Sequence, residues 1–319
     1  MVRIYRIIFV LSALVLGAIV FWFTQRQSAE KPSSAIGAGL LRGLSQVQGG
    51  AEVQAAFQSL ALQKADALPA VKERLLHGEM WEKFQLTKFL RYCPWPETRD
   101  DLVALAGDNK QHWLPRQGAL YALGALGDRT AGSSVAAILL ESDCPAGVRL
   151  AAISALARIP YPEAADAIRP FTQDADIHLR LCAAWALAKF GEPVDQEFLL
   201  AALGNENYVV RQEACGALGA AGMTEPLKGV AQHDPHQAVR LAASQALLQN
   251  AWRGQNVAGK MTVLRDALPG ADRFMATWIL RTMLGQGGAE GRAFLETLAA
   301  DEGYLGERSR YYLAMAGSR

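Results

Sequence analysis

Histidine and cysteine are the side chains here best suited to ligate a metal or attack a substrate. The chain has five histidines (His77, His112, His178, His233, His236) and four cysteines (Cys93, Cys144, Cys182, Cys215). Only HDPH at 233–236 sets two imidazoles beside a carboxylate, Asp234. A metal centre needs further ligands, and neither HExxH nor Cys-x-x-Cys spacing occurs. His233 and His236 stand as the candidate metal ligands, while the segment itself reads as an inter-helix turn. Cys182 and Cys215 fall inside alanine-rich segments, where a thiol behaves as a small hydrophobe. No Gly-rich phosphate loop, serine-nucleophile motif or dinucleotide fingerprint is found. The expectation is a protein with no catalytic residues, no cofactor and no evident small-molecule substrate.

A recurring arginine is the strongest pattern. It opens the blocks RQGALYAL at Arg116, RLAAISAL at Arg149, RLCAAWAL at Arg180, RQEACGAL at Arg211, RLAASQAL at Arg240 and RFMATWIL at Arg273, spaced by 33, 31, 31, 29 and 33 residues. Weaker copies begin at Lys83 and Arg308. An arginine in the first turn of a helix opposes the macrodipole and needs an acceptor. Asp143, Asp174 and Asp234 each lie six residues before Arg149, Arg180 and Arg240, and Asn205 takes that place before Arg211. Each acid is therefore expected to precede or cap its helix and to pair with its arginine, as a ladder joining repeats.

Small or aliphatic residues at +3 and +6 and Leu at +7 place an apolar stripe on one helical face. Gly127, Gly191 and Gly222 stand eleven residues after their arginines, where a helix ends. Pro162, Pro193 and Pro226 then open a second helix. Each unit of about 31 residues is a helical hairpin that cannot bury its apolar face alone, so about eight of them stack into one cooperative solenoid. The predicted fold class is all-α, an α-α superhelix over residues 51–319.

Segments such as DADIHLRLCAAWAL (174–187) and DPHQAVRLAASQAL (234–247) resemble the short HEAT-like repeats of the family that includes phycobilin-lyase-type proteins. The resemblance covers roughly 51–319 and is strongest over 108–285. It implies an armadillo-like helical fold and a binding surface, with a chromophore- or ligand-lyase activity as the alternative. In such arrays the second helices line the concave side, which places contacts near 129–141, 161–172, 193–203, 224–232 and 256–268.

Two further groups are candidates for a partner surface. Trp185 and Trp278 share position +5, opposite the apolar stripe, and Trp is enriched in binding hot spots. Glu163, Asp166, Asp195 and Glu197 lie on second helices, where they form an acidic stripe suited to a basic partner.

The N-terminus is organised differently. Residues 1–6 form a short basic tail with Arg3 and Arg6; residues 7–25 contain the charge-free run IIFVLSALVLGAIVFWF and read as an uncleaved transmembrane signal anchor; residues 26–50 read as a flexible tether. The positive-inside rule puts the N-terminus in the cytoplasm and the array outside it, periplasmic in a Gram-negative cell. The whole chain of 319 residues carries 32 basic and 31 acidic residues, a formal +1. Without Arg3, Arg6 and Arg26 the balance becomes 29 against 31, or −2, which speaks against nucleic acid. The expected partners are therefore the membrane, through the N-terminal helix, and a protein of unknown identity.

Overall fold

Every arginine-led block is helical, and side chains just upstream start the helices. Asp176, Asn207 and Asp272 each accept a hydrogen bond from a backbone N–H of the first turn, at 2.8–2.9 Å. His112 and His236 do the same through Nδ1. Gly127 and Gly191 end two of these helices with φ of 64° and 83°, the left-handed conformation that lacks a Cβ penalty only for glycine.

The computed structural model describes residues 50–316. Among them are seventeen α-helices and no strand. The first helices of eight hairpins are α1 (Gly50–Leu62), α3 (Met80–Tyr92), α5 (Trp113–Leu126), α7 (Ala146–Leu156), α9 (Ile177–Phe190), α11 (Tyr208–Ala220), α13 (Gln237–Ala251) and α15 (Arg273–Gln286). Their second helices are α2 (Lys64–His77), α4 (Arg99–Gly107), α6 (Gly132–Ile138), α8 (Ala165–Ile168), α10 (Gln196–Ala202), α12 (Glu225–His233), α14 (Val257–Ala267) and α16 (Gly288–Leu298). A last first-type helix, α17 (Tyr304–Ala316), follows. The all-α hairpin array matches the expectation. The tail, the anchor at 7–25 and the tether at 26–49 lie outside the described residues. Among those described, no helix is long and apolar enough to cross a membrane.

Second helices are short where proline intervenes. Pro162 starts a 3-10 turn leading into α8, and Pro170 ends that helix after one turn. Pro226 lies in the first turn of α12. Pro193 is different: α10 starts three residues later, with Asp195 as its cap.

The direction of curvature follows from which helices face inward. Consecutive first helices pack directly on one another, α3 on α5, α5 on α7 and α11 on α13. Gly118 of α5 meets Thr87 of α3, Gly124 meets Ala155 of α7, and Gly219 of α11 meets Ala246 of α13, each with no space for a Cβ. The cavity that the array surrounds is lined, among the described residues, by first helices and their C-terminal ends and by no second helix, so the array bends around its first-helix side. This corrects the expectation that second helices line the concave side: first helices form the inner wall, and the segments near 129–141, 161–172, 193–203, 224–232 and 256–268 lie outside.

The bend carries the array back to its start. α17 packs on α1, and Met315 belongs to the same buried cluster as Phe57, Leu60 and Phe89. Cys93 Sγ donates to the Met315 carbonyl at 3.1 Å across 222 residues of sequence. The described chain is thus a closed ring.

Candidate functional site: a basic and aromatic central cavity

The repeat arginines hold hairpins together, but not with the predicted partners. Arg116, 3% exposed, donates from Nη2 to both Glu141 carboxylate oxygens at 2.9 and 2.7 Å and from Nε to the Ala106 carbonyl at 2.8 Å. Arg211 binds Asp234 through Nε and Nη2 at 2.8 and 3.0 Å. Each arginine therefore reaches an acid at the far end of its own second helix, 25 or 23 residues downstream. Arg240, the expected partner of Asp234, instead donates to the Asp234 and Pro235 carbonyls. Asp234 thus joins two repeats, with its carboxylate on one arginine and its carbonyl on the next. The Arg211 guanidinium holds its carboxyl below the ordinary range, and the His236 N–H adds to this.

The other ladder assignments change as well. Arg149 and Arg180 lie over the rings of Phe171 and Phe198, at 5.5 and 4.0 Å, rather than on Asp143 and Asp174. Arg273 lies over Tyr304 at 5.3 Å. Asp174 accepts from the Asp176 N–H in a local turn, leaving Asp176 to cap α9, and Pro145 occupies the N-cap of α7 downstream of Asp143. The cause is geometric. A carboxylate six residues upstream is consumed by its own turn, while the hairpin returns the end of the second helix to the arginine.

His236 caps α13 and stacks on Tyr208, with ring centroids 3.7 Å apart. His233 ends α12. Among the described residues no group of three or more His, Cys, Asp or Glu side chains is placed to hold a metal. Burial pushes the thiols of Cys182 and Cys215 up to about 12, which leaves them protonated and inert. The acidic stripe belongs to the outer surface. Glu163 pairs with Arg129, Asp166 with Arg169 at 3.5 Å, Asp195 caps α10, and Glu197 is exposed.

Both tryptophans sit on the inner wall. Trp185 lies under the Arg158 guanidinium at 5.6 Å. Trp278 stacks on Trp252, with centroids 5.7 Å apart and planes 10° from parallel. Trp252 and Trp278 line a half-open central cavity of about 870 Å³ bordered by α1, α3, α5, α13, α15, α17 and Arg158. Lys88, Arg91, Arg158, Arg281 and Arg308 line it too, with no Asp or Glu among the described residues. Burial, with Arg91 and Arg281 close by, pulls the Arg158 pKa down.

This site escapes a reading centred on the apolar stripe, yet it has a register. Lys88 and Trp278 stand at +5 from their repeat cation, Arg91 and Arg281 at +8, Arg158 at +9, and Trp252 at +12. Those offsets form one helical face opposite +3, +6 and +7. A second row, at the N-terminal rim of the first helices, was also missed. Met80, Trp113 and Tyr208 occupy −3 from Lys83, Arg116 and Arg211, and are 41%, 44% and 41% exposed. Trp81 at 47% and Phe274 at 61% lie in first turns of the same type.

Comparison with known proteins places the architecture. Residues 135–219 match the model for HEAT repeats. No curated protein matches. A solved complex of CpcE and CpcF of phycocyanin lyase from Nostoc sp. PCC7120 is similar over 71% of this chain and 91% of that chain, at 20% identity and a TM-score of 0.53. Human deoxyhypusine hydroxylase in complex with glycerol aligns over 82% and 98% at 19% identity with a TM-score of 0.37, and an engineered protein over 90% and 92% at 17% identity with a TM-score of 0.36. The first likeness, at its identity, speaks to the fold alone: a HEAT-like helical solenoid.

Proposed function

We propose that this chain is a membrane-tethered, non-catalytic helical-repeat adaptor that holds a protein partner. The observation that carries this reading is a pair of exposed aromatic residues on the N-terminal rim, Trp113 and Tyr208, at the same repeat position, with Ala146 and Ile177 at that place in the two repeats between them. Exposed aromatics rimmed by polar groups mark contact surfaces, and Trp and Tyr dominate the energetics of such contacts. Tyr208 is already stacked on His236, so little side-chain freedom is lost on contact. In this reading the apolar run at 7–25 is the anchor and 26–50 the tether, with the array on the extracytoplasmic side. Full-length protein crosslinked in envelope membranes is expected to retain a partner that the Trp113→Ser/Tyr208→Ser variant loses. Equal retention by both forms, or by neither, overturns the reading. Reporter fusions at the C-terminus test the orientation.

A second reading, a chromophore or ligand lyase, has one observation in its favour: the central cavity, at about 870 Å³, has the volume of a ligand pocket. Visible absorbance of the purified protein mixed with candidate pigments separates the two.

A further inference from the structure

We propose that the central cavity binds a small organic anion carrying two or more phosphate or carboxylate groups. The inference shares its cavity with the second reading above but not that reading's chemistry, and it rests on charges that neither reading uses. Five cations line one cavity, and among the described residues no carboxylate lines it. Arg308 alone is paired, with Glu307 at 2.9 Å, which leaves four without a counter-charge in a chain whose total charge is only +1. The positive charge is therefore segregated to this site rather than spread by composition.

Elsewhere several arginines are neutralised by carboxylates, while Arg149, Arg180 and Arg273 lie over rings outside the cavity. Arg116, Arg129, Arg169 and Arg211 each hold a carboxylate. Arg91, Arg158 and Arg281 hold none among the described residues, and lie over the rings of Tyr121, Trp185 and Tyr92 at 4.7, 5.6 and 5.4 Å. A ring beneath a guanidinium fixes its plane while leaving the N–H edge open, the edge that takes phosphate or carboxylate in a two-point contact. All three arginines are reached by solvent from the cavity. Like charges gathered this closely, without counter-charge, cost stability. Arg158 bears that cost most directly: Arg91 and Arg281 both act to lower its proton affinity.

One anionic charge does not balance such a site, which is why the ligand carries at least two. The organic body follows from the aromatic part of the lining, where Trp278, Tyr311 and Tyr312 supply apolar surface on the same helices as Arg281 and Arg308. The volume of about 870 Å³ also far exceeds the need of a bare phosphate.

The test uses the full-length chain in a neutral detergent at low salt, titrated calorimetrically with ATP and with benzenehexacarboxylate. Both are expected to bind with Kd of about 10 µM, and inorganic phosphate and benzoate about 100-fold more weakly. Raising the salt should weaken binding. Arg158→Gln and Arg281→Gln should each weaken ATP binding about tenfold or more, whereas Arg129→Gln, on the outer surface, should leave it unchanged. Unliganded Arg158→Gln should melt at or above the wild-type temperature, because it removes a self-repelling cation; this separates a lost site from a lost fold. No saturable binding of either polyanion at about 1 mM overturns the proposal. So does equal binding by Arg158→Gln, or phosphate binding as tightly as ATP.

Discussion

Arg211 and Asp234 illustrate how a repeat residue is held by the hairpin rather than by its neighbours in sequence. The pair is largely shielded, with side chains 12% and 8% exposed, and its two hydrogen bonds fix the end of α12 to the start of α11. Both residues were legible as structural from spacing alone. Their pairing was not, because a carboxylate six residues upstream and one 23 downstream look alike until the hairpin closes. The Asp234 carboxyl titrates below its ordinary value of 3.8 in the folded chain, chiefly through Arg211. A folded pKa below the unfolded one means stability that is complete above the ordinary value and lost as pH falls through the folded value. Asp234→Asn should therefore lower Tm by about 3 °C at pH 7. The gap from wild type should narrow below about pH 4 and close once the wild-type carboxyl is itself protonated. Parallel melting curves at successive pH values check this, and a gap that widens in acid contradicts it.

At the scale of the helix, small residues let the helices of the inner wall pack closely. The alanines at +3 and +6 were plain in the sequence and pointed to close packing between repeats. The direction of curvature was read the wrong way round, since the usual habit of such arrays stood in for the helices that actually face the cavity. Gly219 shows the constraint: a Cβ there would lie 2.5 Å from the Ala246 Cβ, backed by backbone at 3.3 Å. Gly229, in the outer helix α12, has nothing within 4 Å. In an unconstrained helix Gly→Ala stabilises by about 0.5–1 kcal/mol. Gly229→Ala should do so, whereas Gly219→Ala should destabilise by about 1–3 kcal/mol through overpacking. Denaturant midpoints of the two variants should move in opposite directions. Adding Ala246→Gly should recover part of the Gly219→Ala loss, because the clash lies between those two positions.

For the whole molecule, closure changes what a repeat array is expected to do. In an open solenoid each unit touches only its neighbours, and the ends fray. Here the buried residues fall into three abutting clusters, and the first runs from Phe57 to Leu187 and takes in Met315 from the last helix. The sequence carried the hairpin count and the apolar face of each helix. It could not carry closure, which depends on small rotations summed over eight hairpins and on no single residue pair. Met315, 5% exposed against the first cluster, joins the two ends. Met315→Glu places a charge in that apolar contact and should cost about 3 kcal/mol or more at the closure. The loss should stay local, because the packing from α5 to α11 does not pass through α17. Hydrogen exchange is therefore expected to quicken about tenfold or more in α1 and α17 and to stay unchanged in α7 and α9. Uniform quickening across all helices would mean that the ring opens only as one unit. No change at α1 would mean that closure contributes nothing. Met315 also lines the cavity, so the introduced carboxylate should weaken ATP binding directly, by repulsion, as well as through any loss of closure.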